Sequence, residues 1–123
     1  QLVHLKTDFY FLLKNTDNIG NLLQELHPTP AVCGLPKEDA FRFILENEGY
    51  DRSYYSGFTG WLDTEGHTDL YVNLRCMKIE PGETTLYAGG GILASSEVES
   101  EWTETGDKMN TMKSILHPEF INR

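Results

Sequence analysis

Two carboxylates and an amine recur at helical spacing near the end of the chain. Glu101, Glu104 and Lys108 are separated by three and four residues, which places all three on one helix face. Neighbouring carboxylates repel each other unless a cation compensates, and Mg²⁺ prefers oxygen ligands of this kind. The spacing is therefore compatible with part of a magnesium site. The same spacing is, however, more often found on a solvent-exposed helix face, here with a Glu104–Lys108 ion pair.

Further candidate ligands for an anion lie on segments rich in β-formers. Arg75 lies within the otherwise apolar run Leu70–Ile79, whose alternation predicts a single strand. Its planar guanidinium could bind a carboxylate through two hydrogen bonds, although mid-strand arginines are usually exposed or paired with an acid. Tyr55 and His4 carry polar tips, and residues of these types more often pack in a core with one hydrogen bond.

Two loops have a composition suited to lining a ligand. Leu26–Pro36 (LHPTPAVCGLP) is rich in proline and almost uncharged, so it is either a pocket wall or a rigid connector between helices. Ala88–Gly91 (AGGG) would allow a ligand to approach the backbone closely, but glycines there also suit a β-bulge. The sequence contains no GxSxG or HExxH motif and no metal-type Cys/His cluster.

Composition limits the class of protein and of partner. The chain has 123 residues, a net charge of −9 and 39% hydrophobic residues, which fits one globular domain. The acidic balance argues against nucleic acid or an anionic membrane surface as partner, and no apolar run is long enough to span a membrane. Cys33 and Cys76 lack a CxxC spacing and are expected to be reduced thiols, which favours a cytoplasmic location.

The order of predicted elements indicates an α+β fold with an antiparallel sheet packed against helices. Pro36 precedes an amphipathic helix that Gly49 ends, and Ser95 or Ser96 is the predicted cap of the last helix. The segments with strand-like patterns are 2–13, 55–62, 70–79 and 84–88, and those with helical patterns are 18–25, 37–48 and about 96–116.

Taken in order, six motifs resemble the C-terminal half of the chorismate-utilising enzymes. They are VHL, HPTPAVCGLP, YYSGFTGWLD, the LR of VNLRC, LYAGGGI and EWTETGDK, and they run from residue 3 to residue 108. The HPTPAV part is most similar to isochorismate synthases. At the glycine loop the family more often has AGAGI, so Gly90 stands here in place of an alanine.

The resemblance implies a role for each candidate residue. Glu104 would ligate Mg²⁺, with Glu101 as a partner that acts directly or through water. Arg75 and Tyr55 would hold the enolpyruvyl carboxylate of chorismate, and Lys108 would lie near the ring carboxylate and the metal. The remaining implied substrate-binding positions are His4 beside the ring, Ala31 on the proline loop, and the backbone of Gly89 and Gly91.

The resemblance also implies the reaction. In isochorismate synthases water attacks the second ring carbon as the hydroxyl on the fourth leaves, with a lysine as base and a glutamate as acid. In the family both groups lie upstream, so residues 1–123 are expected to be a C-terminal segment of a chorismate-binding domain, inactive alone and able to self-associate. The product would enter menaquinone or siderophore synthesis. Alternatives are a salicylate synthase, another chorismate-utilising enzyme, or a non-catalytic module that binds chorismate and Mg²⁺.

Overall fold

Three helices and four short strands make up the chain in a computed structural model that describes residues 5–15, 18–63 and 65–116. The α+β class is confirmed. The predicted strand over 2–13 is wrong where it can be checked, because residues 5–13 have no ladder partner and form neither strand nor helix. The elements are α1 (Ile19–Leu26), α2 (Lys37–Asn47), β1 (Phe58–Trp61), β2 (Asp69–Val72), β3 (Cys76–Glu80), β4 (Glu83–Tyr87) and α3 (Val98–Lys113).

The strands form two antiparallel hairpins and not one continuous sheet. In the first, β1 pairs with β2 from Phe58–Val72 to Trp61–Asp69. In the second, β3 pairs with β4 from Cys76–Tyr87 to Glu80–Glu83. The two-residue turn of the second hairpin has Gly82 at φ +83°, a conformation that favours glycine.

The predicted single strand over residues 70–79 is broken between the hairpins, which corrects the expected position of Arg75. Residues 73–75 belong to neither strand, and Arg75 has φ +46°, in the left-handed region. A residue in this conformation cannot continue a β-ladder, so the alternation of faces stops there. Arg75 therefore lies at a bend that turns the chain from the first hairpin into the second.

The helices begin and end close to the predicted residues, but one cap differs. Helix α2 starts directly after Pro36, and Gly49 lies in the left-handed region just after its end. The cap of α3 is Glu97, with no side-chain hydrogen bond to the helix, so the predicted serine cap is wrong. The Ser96 hydroxyl instead donates a hydrogen bond of 2.6 Å to a Glu101 carboxylate oxygen.

Burial is concentrated at one place in the described part of the chain. Tyr55 and Ser56, with 8% and 6% of their surface exposed, are its buried residues. Large apolar side chains elsewhere are open to solvent, including Trp61 and Trp102 at 71% and 76%. Among the described residues, no helix has the length and apolar character needed to cross a membrane.

Candidate functional site

Tyr55 is fixed by the turn that carries it. The Tyr55 amide donates to the Arg52 carbonyl at 2.9 Å, which closes the turn. The next residue, Ser56, donates its amide to the Asn73 carbonyl at 2.9 Å, and the Asn73 side chain donates back to the Tyr54 carbonyl at 2.9 Å. The turn is thereby tied to the end of β2, which holds the Tyr55 side chain in the interior.

The Tyr55 ring points across β4 to the glycine segment that follows it. It stacks on the ring of Tyr87, with centroids 5.6 Å apart and planes 18° apart. A Cβ atom placed on Gly89 would lie 2.7 Å from the Tyr55 hydroxyl oxygen, so only glycine leaves room for that oxygen. The phenol tip of Tyr55 and the backbone of Gly89 are therefore neighbours. Burial raises the pKa of Tyr55, which keeps its hydroxyl protonated.

Lys108 joins this segment to the acidic face of α3. Its ammonium donates to the Gly89 carbonyl at 3.3 Å and forms an ion pair with Glu104 at 2.7 Å. The hydrogen bond from Lys108 is the main cause that lowers the pKa of Glu104, and the charge of Arg75 contributes to the same shift. Glu104 is therefore ionised at neutral pH, with two cations nearby.

Arg75 reaches the same helix from the bend between the hairpins. One of its guanidinium nitrogens lies 3.5 Å from the Thr111 hydroxyl oxygen, one helical turn beyond Lys108. The left-handed conformation at Arg75 thus sends its side chain to α3 and away from the predicted strand face. Arg75 remains exposed, and within residues 5–15, 18–63 and 65–116 its guanidinium hydrogen-bonds to Thr111 alone, which leaves donors to bind an anion.

Glu101 lies one turn before Glu104 and faces the glycine segment. One of its oxygens accepts from Ser96, and the other lies 3.3 Å from where a Cβ atom on Gly90 would be. A groove of 260 Å³ opens here, between the glycine segment and α3. It is lined by Gly90, Ile92, Val98, Glu101, Trp102 and Thr105.

Two carboxylates at this place have the chemistry of magnesium ligands. Glu101 and Glu104 could supply oxygen ligands from one helix face, and Mg²⁺ usually takes one or two carboxylates and completes its octahedron with water and substrate oxygens. The ranges 5–15, 18–63 and 65–116 contain no group of three or more His, Cys, Asp or Glu side chains that could hold a metal. These two glutamates are therefore compatible with Mg²⁺ only together with ligands from elsewhere.

For the other predicted site residues, Ala31, Gly91 and His4, the described part of the chain contains no hydrogen bond to Tyr55 or Lys108. Ala31 is exposed in the turn that follows Pro28, and its link to Tyr55 runs through Val32, whose carbonyl accepts from Arg52 at 2.8 Å. Gly91 is exposed, and a Cβ atom there would meet no atom within 4 Å. His4 lies outside the described residues, so its place beside the ring stays a prediction.

Two residues that contact Tyr55 are absent from the set drawn from the sequence. Tyr87 packs on one face of its ring, and the Arg52 guanidinium carbon lies 5.5 Å from the ring centroid. The spacing of four between Glu48 and Arg52 is a sequence signal for an ion pair, although it does not indicate that Arg52 touches Tyr55. Tyr87 directly precedes the glycine segment, and its stacking on Tyr55 depends on the tertiary fold.

Known proteins match this chain over the residues that form the site. The sequence profile of the chorismate binding enzyme family matches residues 1–117. Isochorismate synthase EntC of Escherichia coli strain K12 is 40% identical over 115 residues, which cover 94% of this chain and 29% of EntC. The vibriobactin-specific isochorismate synthase of Vibrio cholerae serotype O1 is 46% identical over 88 residues, covering 72% of this chain and 22% of that protein.

A solved structure agrees with the fold. The crystal structure of DhbC from Bacillus anthracis, provisionally named a 2,3-dihydroxybenzoate-specific isochorismate synthase, matches with a TM-score of 0.76 at 41% identity. The match covers 85% of this chain and 28% of that one. The chain thus spans under a third of the length of these relatives. Since the family profile covers nearly all of its sequence, the chain belongs to the chorismate binding enzyme family.

Proposed function

We propose that the chain is the C-terminal segment of an isochorismate synthase, which converts chorismate to isochorismate with Mg²⁺. The observation that carries the proposal is the Lys108 ammonium, which bridges the Gly89 carbonyl and the Glu104 carboxylate beside the Tyr55 hydroxyl. Chorismate carries two carboxylates, and the chain has a net charge of −9, so a dianion needs local cations. Lys108 and Arg75 supply cations at this site.

The two carboxylates have separate binding groups in the proposal. Arg75, with free donors near the end of α3, binds the enolpyruvyl carboxylate together with the Tyr55 hydroxyl. Lys108 attracts the ring carboxylate. In the proposal the backbones of Gly89 and Gly91 form the wall opposite α3 and Ala31 belongs to the pocket. The role of His4 beside the ring, outside the described residues, is carried only by the family resemblance.

Glu104 and Glu101 would hold Mg²⁺ in the complete enzyme. When bound, the ion would neutralise the ring carboxylate and the developing charge at the site. The lowered pKa of Glu104 favours this role, because a ligand carboxylate must be ionised. In the proposal the base that activates water and the acid that protonates the leaving hydroxyl come from an upstream part of the complete enzyme, as the family resemblance implies.

The relatives support the reaction, and the cysteines support the location. The relatives at 40% and 46% identity are both isochorismate synthases, although each is more than three times as long as the matched part. Cys33 and Cys76 are free thiols, which fits a cytoplasmic enzyme of menaquinone or siderophore synthesis. The isolated segment, with exposed side chains such as Trp61 and Trp102, is expected to self-associate.

Product chromatography tests the proposal. The protein of the complete reading frame is incubated with chorismate and Mg²⁺, without ammonia or glutamine, and isochorismate is the expected product. Salicylate would retain the family but replace the reaction. Bound but unconverted chorismate would instead indicate a non-catalytic module.

The isolated 123-residue chain provides the second arm of this experiment. It is expected to give no turnover, because the base and the acid lie outside it. Efficient turnover by this chain alone would contradict that assignment, even if the complete protein forms isochorismate.

A further inference from the structure

One arginine outside the proposed substrate set connects three separate segments. Arg52 forms two hydrogen bonds with the Glu48 carboxylate, at 2.5 and 2.6 Å, and so is tied to the end of α2. One of its terminal nitrogens donates to the Val32 carbonyl of the proline loop at 2.8 Å and to the Ser56 hydroxyl at 3.2 Å. Both side chains of the Arg52–Glu48 pair are largely shielded, with 23% and 21% exposure.

The same guanidinium forms one wall around Tyr55. It lies over one part of the Tyr55 ring at 5.5 Å from the centroid, and Tyr87 stacks on the ring at 5.6 Å. Tyr87 in turn contacts Tyr50, at 6.4 Å between centroids, and Glu48 contributes to the raised pKa of Tyr50. Arg52 and Tyr87 thus both contact Tyr55, whose hydroxyl meets the glycine segment.

We propose that Arg52 is a positioning residue that holds the Tyr55 hydroxyl against Gly89. The role rests on the proposed function, since it gives Arg52 an effect on chorismate binding that is exerted through Tyr55. An arginine is required because its planar fork reaches Glu48, Val32 and Ser56 at once, whereas a lysine keeps the charge but has only one nitrogen.

The kinetic test uses the complete protein with Arg52→Lys and a matched control, Arg42→Lys. Arg42 also pairs with an acid on α2, Asp39, but both side chains are 67% exposed. For Arg52→Lys we expect the KM for chorismate to rise about tenfold, with kcat within about twofold. A purely structural defect would lower kcat by reducing the active fraction and leave KM unchanged. An unchanged KM would overturn the proposal.

A double variant separates action through Tyr55 from independent binding. Tyr55→Phe removes the hydroxyl that Arg52 is proposed to position, so adding Arg52→Lys to it should change KM by less than about twofold. Multiplicative effects of the two substitutions would contradict the proposal, because Arg52 would then act on the substrate by another route.

A spectroscopic measurement does not depend on activity. In protein labelled with 3-fluorotyrosine, the fluorine resonance that disappears in Tyr55→Phe identifies Tyr55. Arg52→Lys is expected to shift this resonance and Arg42→Lys to leave it in place. Glu48→Gln, which keeps the shape of the partner, provides a second test if Arg52→Lys fails to fold. A Tyr55 resonance that keeps its position in both Arg52→Lys and Glu48→Gln would refute the positioning role. A wild-type protein that neither binds nor converts chorismate would refute only the proposed function.

Discussion

Replacing Gly89 by alanine tests the contact on which the site is built. The added Cβ atom would lie 2.7 Å from the Tyr55 hydroxyl oxygen, about 0.7 Å closer than the start of ordinary van der Waals contact at 3.4 Å. Tyr55 has little freedom to move away, because it is buried and its ring contacts both Arg52 and Tyr87. We therefore expect Gly89→Ala to lower the free energy of unfolding by about 1–3 kcal/mol.

The same geometry predicts that the cost disappears without the hydroxyl. In Tyr55→Phe the nearest ring carbon would be 3.9 Å from the new Cβ atom, which is a normal contact. Urea unfolding of the complete protein is measured for Gly89→Ala in both backgrounds. In the phenylalanine background the substitution should cost less than about 0.5 kcal/mol.

Gly91→Ala is the matched control for this cycle. It introduces the same methyl group two residues away, where no atom lies within 4 Å, and so carries the same change in unfolded-chain entropy. The free energy of unfolding of Gly91→Ala should therefore differ from that of the wild type by less than about 0.5 kcal/mol. If Gly89→Ala lowers the free energy of unfolding equally in the wild type and in Tyr55→Phe, or in neither, the close contact between Gly89 and the Tyr55 hydroxyl is refuted.

Three further predictions concern ionisation. Lys108→Gln should raise the pKa of Glu104 toward its ordinary value, as measured by carbon-13 NMR titration of the carboxyl group; an unchanged pKa would contradict the ion pair. Glu48 has its pKa lowered by Arg52, so their pair should stabilise the fold by about 1 kcal/mol above pH 4.5 and lose this effect as the pH falls through the lowered value. The difference in urea midpoint between wild type and Glu48→Gln should therefore shrink below pH 4.5. A difference that stays constant with pH would show that ionisation of Glu48 does not contribute to stability. Burial and Glu48 raise the pKa of Tyr50 to about 12, so Tyr50→Phe should remove a phenol that ultraviolet titration detects near that pH and not near 10.

Local patterns in the sequence predict the helices well. The apolar spacing that follows Pro36, with Glu38 and Asp39 in the first turn, gives α2 within a residue or two at each end. The three- and four-residue spacings on α3 likewise place Glu101, Glu104 and Lys108 on one face. Both results depend on interactions within one helix, which sequence spacing captures.

Contacts between distant segments are where sequence patterns are insufficient. The run around Arg75 alternates like one strand, yet the bend there is compatible with a side chain that reaches Thr111, 36 residues later. Ser96 is a good cap by type, but its hydroxyl is bonded to Glu101. From its spacing, Arg52 is expected only to form an ion pair with Glu48 near the end of a helix. Its contacts with Val32 and Tyr55 arise from the tertiary fold.

The chorismate affinity of an arginine variant shows whether chorismate binds beside Arg75 and α3. The dissociation constant is measured by calorimetry in Mg²⁺ for the complete protein, for Arg75→Met and for the exposed control Arg42→Met. Loss of a charge-assisted bidentate contact costs about 1.5–3 kcal/mol, so Arg75→Met should weaken binding by about 10- to 150-fold while Arg42→Met has little effect. Equal affinities for the Arg75→Met variant and wild type would contradict a chorismate site at Arg75 and α3.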